Sequence, residues 1–160
     1  MTYCQPSCGS STEKHAMAIS MTIPRIASKE LARILLSEID GSATVEGSLI
    51  PSKIAVVDVR DEDYIGGHIK NSINVPSTTL VIAMPELVRK LQDKELVVFH
   101  CALSQQRGPR AALHYLRERD KLSESPGQNV FILDQGFVGW QREFGEDTRL
   151  TEGFKKQLWL

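Results

Sequence analysis

Phe99-His100-Cys101-Ala102-Leu103-Ser104-Gln105-Gln106-Arg107-Gly108-Pro109 sets one cysteine and one arginine around five residues, where an apolar run gives way to a helical pattern. Upstream, Glu95-Leu96-Val97-Val98-Phe99 is short, apolar and β-branched, which predicts a strand buried on both faces of a parallel sheet. Downstream of Gly108-Pro109, the residues Ala111, Ala112, Tyr115 and Leu116 recur at three-to-four spacing, and a proline in the first helical turn forfeits no hydrogen bond. The loop therefore falls at the carboxyl end of a strand and the amino end of a helix. Such a loop gathers unpaired amides and the positive end of the helix dipole, the ingredients of an oxyanion site.

A cysteine beside a cation at a helix N-terminus ionises at roughly 4 to 7 instead of near ~8.5, so a thiol centred there is a nucleophile. An arginine favours the thiolate and also offers a planar fork to two oxygens of a phosphate-like dianion, which a lysine does not. Cys101 and Arg107 are the expected catalytic pair, and Ala102, Leu103, Ser104, Gln105, Gln106 and Arg107 the expected substrate-binding loop. Ser104, at mid-loop, is a candidate to hydrogen-bond the Cys101 sulfur. A lone cysteine after a strand is more often a small buried hydrophobe; its pairing with an arginine six residues on, followed by Gly-Pro, is the specific signal. Strand alternation turns His100 away from Cys101, toward the role of a hydrogen-bonded core histidine.

The same strand-then-helix rhythm extends outward. Ile54-Ala55-Val56-Val57 and Asn129-Val130-Phe131-Ile132-Leu133 predict further strands, Leu31, Ile34, Leu35 and Ile39 a helix capped by Ser28, and Pro85 to Leu91 another helix, with 41–48 as a loop. Gly136 and Gly139 suit a turn into a closing helix, with Phe137 and Trp140 as core. Strands alternating with helices give an α/β fold, a central and mostly parallel sheet with helices on both faces, whose ligands bind at the carboxyl ends of strands. Residues 1–22 read as a disordered leader, 23–148 as the catalytic domain, and 149–160, with Phe154, Leu158 and Trp159, as an amphipathic tail that packs back.

Three motifs in order resemble the rhodanese-like superfamily. They are Asp58-Val59-Arg60 with Tyr64 and Gly67-His68-Ile69; His100-Cys101 with Arg107-Gly108-Pro109; and Gly136-Phe137 with Trp140. The resemblance is to its phosphatase branch, the Cdc-twenty-five-type phosphatases and the related eukaryotic arsenate reductases, and covers roughly residues 26–145. It implies a rhodanese-like fold and a protein-tyrosine-type phosphatase or an arsenate reductase, acting on a phosphorylated protein or a small oxyanion. Sulfurtransferases of the superfamily carry a six-residue loop; Cys101 to Arg107 has the seven residues of the phosphate- and arsenate-handling members. Sulfur transfer, or an idle module kept for binding, is the alternative.

Two departures bear on mechanism. The phosphatases resembled here carry acids after the cysteine and before the arginine, where this chain has Ala102 and Gln106. General-acid help is worth roughly 10²–10⁴ in rate, so activity is expected on aryl phosphates in preference to alkyl ones. Asp58 with Arg60 forms either an acid site or a structural ion pair, the pair being preferred, and Asp61 and Asp63, which also follow the neighbouring strand, are further candidates to supply the missing proton. An arsenate adduct needs a second thiol, and Cys4 and Cys8 lie far upstream. The resemblance therefore implies glutathione or glutaredoxin as reductant, glutaredoxin as a partner, and no bound cofactor.

Composition narrows the setting. At 160 residues the chain has the size of one domain, and a net charge of −1 offers no basic footprint for nucleic acid. Three cysteines argue against a disulfide scaffold and for a reducing compartment, cytoplasm or nucleus. No apolar run approaches the roughly 18 residues that span a bilayer, so no membrane association is expected. Cys4, Cys8 and His15 lack a fourth ligand, so no metal site is expected. Nothing in the sequence signals an oligomeric state.

Overall fold

The computed structural model describes residues 22–41, 52–122 and 127–159. Cys4, Cys8, His15 and most of the expected leader, together with the loop beyond Gly41, lie outside the described residues. In chain order the elements are β1 (Arg25–Ile26), α1 (Ser28–Gly41), β2 (Ile54–Asp58), β3 (His68–Ile69), β4 (Ile73–Asn74), α2 (Leu80–Lys90), β5 (Leu96–His100), α3 (Arg107–Leu122), β6 (Asn129–Leu133), α4 (Gly136–Phe144) and β7 (Thr151–Glu152).

Five strands form one parallel sheet in the order β1-β6-β5-β2-β4, which makes β5 the central strand. Its alternating side chains feed two cores. Val97 and Phe99 pack with Leu87 and Val88 of α2 and with Ala111, Ala112 and Tyr115 of α3. Val98 joins Leu31 of α1 and Phe137 and Trp140 of α4 on the opposite face. Burying side chains of this size contributes about 1.5–3 kcal/mol apiece, which explains why the central strand is apolar from Leu96 to Phe99. The alternation continues past the strand end: Cys101 belongs with the α3 side, while His100 stacks on Phe137, ring centroids 6.4 Å apart.

Two expectations shift. Ser28 is the first residue of α1, and the Leu31 amide bonds to the Ala27 carbonyl at 3.0 Å, so the chain enters the helix one residue before the expected cap. More substantially, α2 begins at Leu80 and not at Pro85, which lies inside it. Leu80, Met84, Leu87 and Val88 are buried at helical spacing, while Val81 and Ile82 are largely exposed. Burial of that stripe outweighs the bond to the Val81 carbonyl that Pro85 cannot make.

A second, antiparallel ribbon pairs β3 with β7. Beyond β7 the chain folds over the turn that precedes β3: the Trp159 indole N–H donates to the Gly66 carbonyl at 2.8 Å, and its ring meets Phe137 edge-on at 5.2 Å.

Candidate functional site

The 101–107 loop connects the centre of the sheet to α3, as its sequence predicts, and three contacts set its shape. Gly108, in the first turn of α3, lies against the end of β5 so closely that a Cβ there would come within 3.3 Å of the His100 Cα. On the other side, the amides of Phe137 and Val138 at the start of α4 donate to the carbonyls of Cys101 and Ala102, both at 2.9 Å. Gly136 makes this approach possible: its φ is +56°, and a Cβ would sit 2.5 Å from each of those carbonyl oxygens. Underneath, Arg25 of β1 donates from Nη2 to the Ser104 carbonyl at 2.9 Å.

Within this frame Cys101 is 4% exposed. Among the described residues, no acceptor takes the backbone N–H groups of Ala102 through Gln106. Ser104 has a left-handed φ of +52°, a strained value for a serine. Its hydroxyl is buried without a hydrogen-bond partner among the described residues, so the suggested bond to the Cys101 sulfur is not made. Leu103 is half exposed on the rim, beside exposed Gln105 and Gln106.

Arg107 is the first residue of α3, and its fork is engaged. Nη1 donates to Asp63 Oδ1 at 2.8 Å and to Asp61 Oδ2 at 3.2 Å, and Nη2 to Asp63 Oδ2 at 2.5 Å. The bonds from Arg107 hold the Asp63 carboxyl at about 2, below the usual carboxylate range, and Asp63 in turn raises Arg107. Burial works to raise Asp61, but hydrogen bonds from Ser77, Thr78 and Arg107 outweigh it and lower this carboxyl too. The sequence offers Asp61 and Asp63 as candidate proton donors near the strand ends; the structure places both against Arg107. The available signal was the β2–β5 pairing, which brings the segment after Asp58 alongside the one after His100.

Asp58 and Arg60 are an ion pair, both fully buried. Arg60 donates from Nη2 to Asp58 Oδ2 at 2.7 Å and from Nε to both carboxylate oxygens, and its own backbone amide bonds to Oδ1. The guanidinium also reaches the Gly67 carbonyl at 2.9 Å and the Asp63 carbonyl at 3.3 Å, and lies 4.1 Å above the Phe137 ring. It thus ties the Asp61–Asp63 segment and the Gly66-Gly67 turn to the sheet. His100 is fully buried, with Nδ1 3.1 Å from the Cys101 carbonyl and Nε2 3.6 Å from Asp58; desolvation lowers its pKa, consistent with a neutral ring. Among the described residues no group of His, Cys, Asp and Glu is placed to hold a metal, and no helix is long and apolar enough to cross a membrane.

A parallel sheet with a cysteine loop at the end of its central strand, braced by the helix of a closing Gly-Phe-x-x-Trp motif, defines a class. Residues 43–143 match the model of the rhodanese-like domain, and the chain belongs to that family. It is 40% identical over 115 residues to the Saccharomyces cerevisiae protein named CDC25-like phosphatase YCH1, covering 65% of this chain and 76% of that one. It is 45% identical over 93 residues to arsenate reductase 2.2 of Oryza sativa subsp. japonica, covering 56% and 70% respectively. Among solved structures, that of Ygr203w, a yeast protein tyrosine phosphatase of the rhodanese family, superposes with a TM-score of 0.65 at 34% identity, over 88% of this chain and 100% of that one. The As-Sb reductase of Leishmania major gives 0.65 at 30%, over 79% and 82%.

Proposed function

We propose that this chain is a thiol-dependent enzyme of tetrahedral oxyanions, and that its leading activity is hydrolysis of aryl phosphates, phosphotyrosine among them. The observation that carries this reading is the seven-residue Cys101–Arg107 loop, whose amides from Ala102 to Gln106 have no acceptor among the described residues. Cys101 Sγ attacks phosphorus in line, an S–P bond forms, and the P–O bond to the phenolate breaks. Water then attacks phosphorus, and the thiolate leaves as inorganic phosphate is released. Arg107 and the loop amides hold the equatorial oxygens, where charge builds up in the transition state. Ala102 and Gln106 supply no proton, which favours leaving groups that depart as stable anions.

The test is steady-state and burst kinetics on p-nitrophenyl phosphate and a matched alkyl phosphate, with Cys101→Ser as the blank. A burst with aryl phosphate, lost in the blank, is the expected result. Equal rates on both substrates contradict it.

Arsenate reduction is a second reading, supported by the relatives named as arsenate reductases. Cys101 is the only cysteine among the described residues, and this reading takes the reducing thiol from glutathione. Cys101 displaces water from arsenate to give an S–As bond; the glutathione thiolate attacks that sulfur, forming S–S, and arsenic departs two electrons richer as arsenite. Glutaredoxin then reduces the mixed disulfide. Arsenate-dependent NADPH consumption coupled through glutathione reductase tests it, and activity without added thiols refutes it. Thiocyanate release from thiosulfate and cyanide would instead mark a sulfurtransferase. Slow alkylation of Cys101 by iodoacetate would mark an idle binding module. The compartment proposed is cytoplasm or nucleus, on the strength of cysteine usage alone.

A further inference from the structure

The guanidinium that would hold the substrate is already gripped by an internal carboxylate. Asp63 meets both ends of the Arg107 fork, the same two-point geometry an incoming oxyanion uses. We propose that Asp63 is a built-in competitor for Arg107, so that the loop binds a tetrahedral oxyanion only by displacing this carboxylate and holds every such anion more weakly than the uncapped loop would. This inference rests on the reading that Arg107 binds the oxyanion.

The two acids around Arg107 are not equivalent. Asp61 is held in place: Oδ2 accepts from Ser77 Oγ at 2.6 Å, and Oδ1 accepts from the Thr78 amide at 3.1 Å and the Thr78 hydroxyl at 3.3 Å. Asp63 has no such side-chain anchors; besides Arg107 its carboxylate is met by backbone amides, that of Asp61 at 3.0 Å and its own, and its side chain is 41% exposed. An oxyanion that takes both Nη atoms displaces Asp63 into solvent, while Asp61 stays as the residual contact to Nη1. Displacement is an uneven contest. A tethered carboxylate competes at a high effective concentration, so every anion that takes the fork loses the same factor in affinity to it. A dianion brings a second charge to the fork and to the loop amides, and that surplus drives the exchange.

Sulfate and perchlorate are both tetrahedral and differ in charge, so together they read whether one factor applies to any anion that takes the fork. Their affinities are read by calorimetry and by protection of Cys101 from iodoacetate, in the wild-type chain, Asp63→Asn, Asp63→Ser and Arg107→Ala. Glu62→Gln, which removes a neighbouring charge that has no contact with Arg107, controls for long-range electrostatics. Losing a bidentate but half-exposed rival should tighten sulfate about three- to tenfold in either Asp63 variant, and perchlorate by a similar factor, because any anion that takes the fork displaces the same carboxylate. The KM for p-nitrophenyl phosphate falls with them while kcat holds. Damage to the fold would not tighten binding. Unchanged or weaker sulfate binding, a gain confined to one of the two anions, a matching gain in Glu62→Gln, or a loss in kcat at constant KM each overturn the proposal. If Arg107→Ala binds sulfate like wild type, the loop reading itself fails; if it loses sulfate while Asp63→Asn gains nothing, only this inference fails.

Discussion

Phe137 donates its amide to the carbonyl of Cys101 at 2.9 Å, so the closing motif of the chain grips the backbone of the candidate nucleophile directly. The glycine before it has a physical reason. At Gly136 a side chain would collide with the carbonyls of both Cys101 and Ala102.

Gly136→Ala therefore has two penalties, a left-handed φ worth about 1–2 kcal/mol and a steric clash with backbone that has little room to yield. Thermal melting should fall. Activity on aryl phosphate should drop by more than the melting curve accounts for at the assay temperature, because the loop loses its brace. Unchanged stability would show that α4 can retreat from the loop at no cost.

Removing Arg60 strands a fully buried Asp58. Breaking such a pair from one side costs about 3–5 kcal/mol, so Arg60→Leu should show that loss in denaturant unfolding. Because Asp58→Asn removes the same interaction, the double variant should lose clearly less than the sum of the singles. Strict additivity would show that the two residues act independently.

Asp63 titrates at about 2 in the folded chain, against 3.8 ordinarily, with the bond from Arg107 as the first cause. A carboxyl lowered on folding stabilises the fold fully above its unfolded value, and that contribution is lost as pH falls through 3.8 toward 2. The side chain is substantially exposed, so solvent screening keeps the term below about 1 kcal/mol. Denaturant unfolding of wild type and Asp63→Asn should differ by that small margin at pH 5 and converge near pH 2. Curves that remain parallel over this range would remove Asp63 from the acid response.

Pro85 lies inside α2, partly buried, where it cannot bond the Val81 carbonyl. An interior proline costs up to about 3 kcal/mol against alanine, so Pro85→Ala should stabilise the protein by roughly 1–3 kcal/mol in denaturant unfolding. Destabilisation would show that packing of the proline ring outweighs the missing hydrogen bond.

Long, periodic features were legible in the sequence. The β5 run, the three-to-four spacing of α3 and the Cys-x5-Arg interval each lie within one short window, where local rules apply. The start of α2 was not, because Val81 and Ile82 are β-branched and Pro85 reads as a first-turn residue; only the buried stripe from Leu80 to Val88 reveals the helix. Two-residue strands such as β3 and β7 carry no period at all. The grip of Asp61 and Asp63 on Arg107 joins positions more than forty residues apart, and depends on strand order, which one sequence does not state. The Asp58–Arg60 pair, two residues apart, was within reach.

The edge-on packing of Trp159 against Phe137 gives the molecule an optical reporter of its own. The chain has two tryptophans; Trp140 is fully enclosed, whereas the Trp159 indole is partly open to solvent and separated from the Cys101 backbone by a single phenyl ring and one amide bond. Emission from Trp159 should therefore follow oxyanion titrations without an added dye, with Trp159→Phe supplying the dark reference.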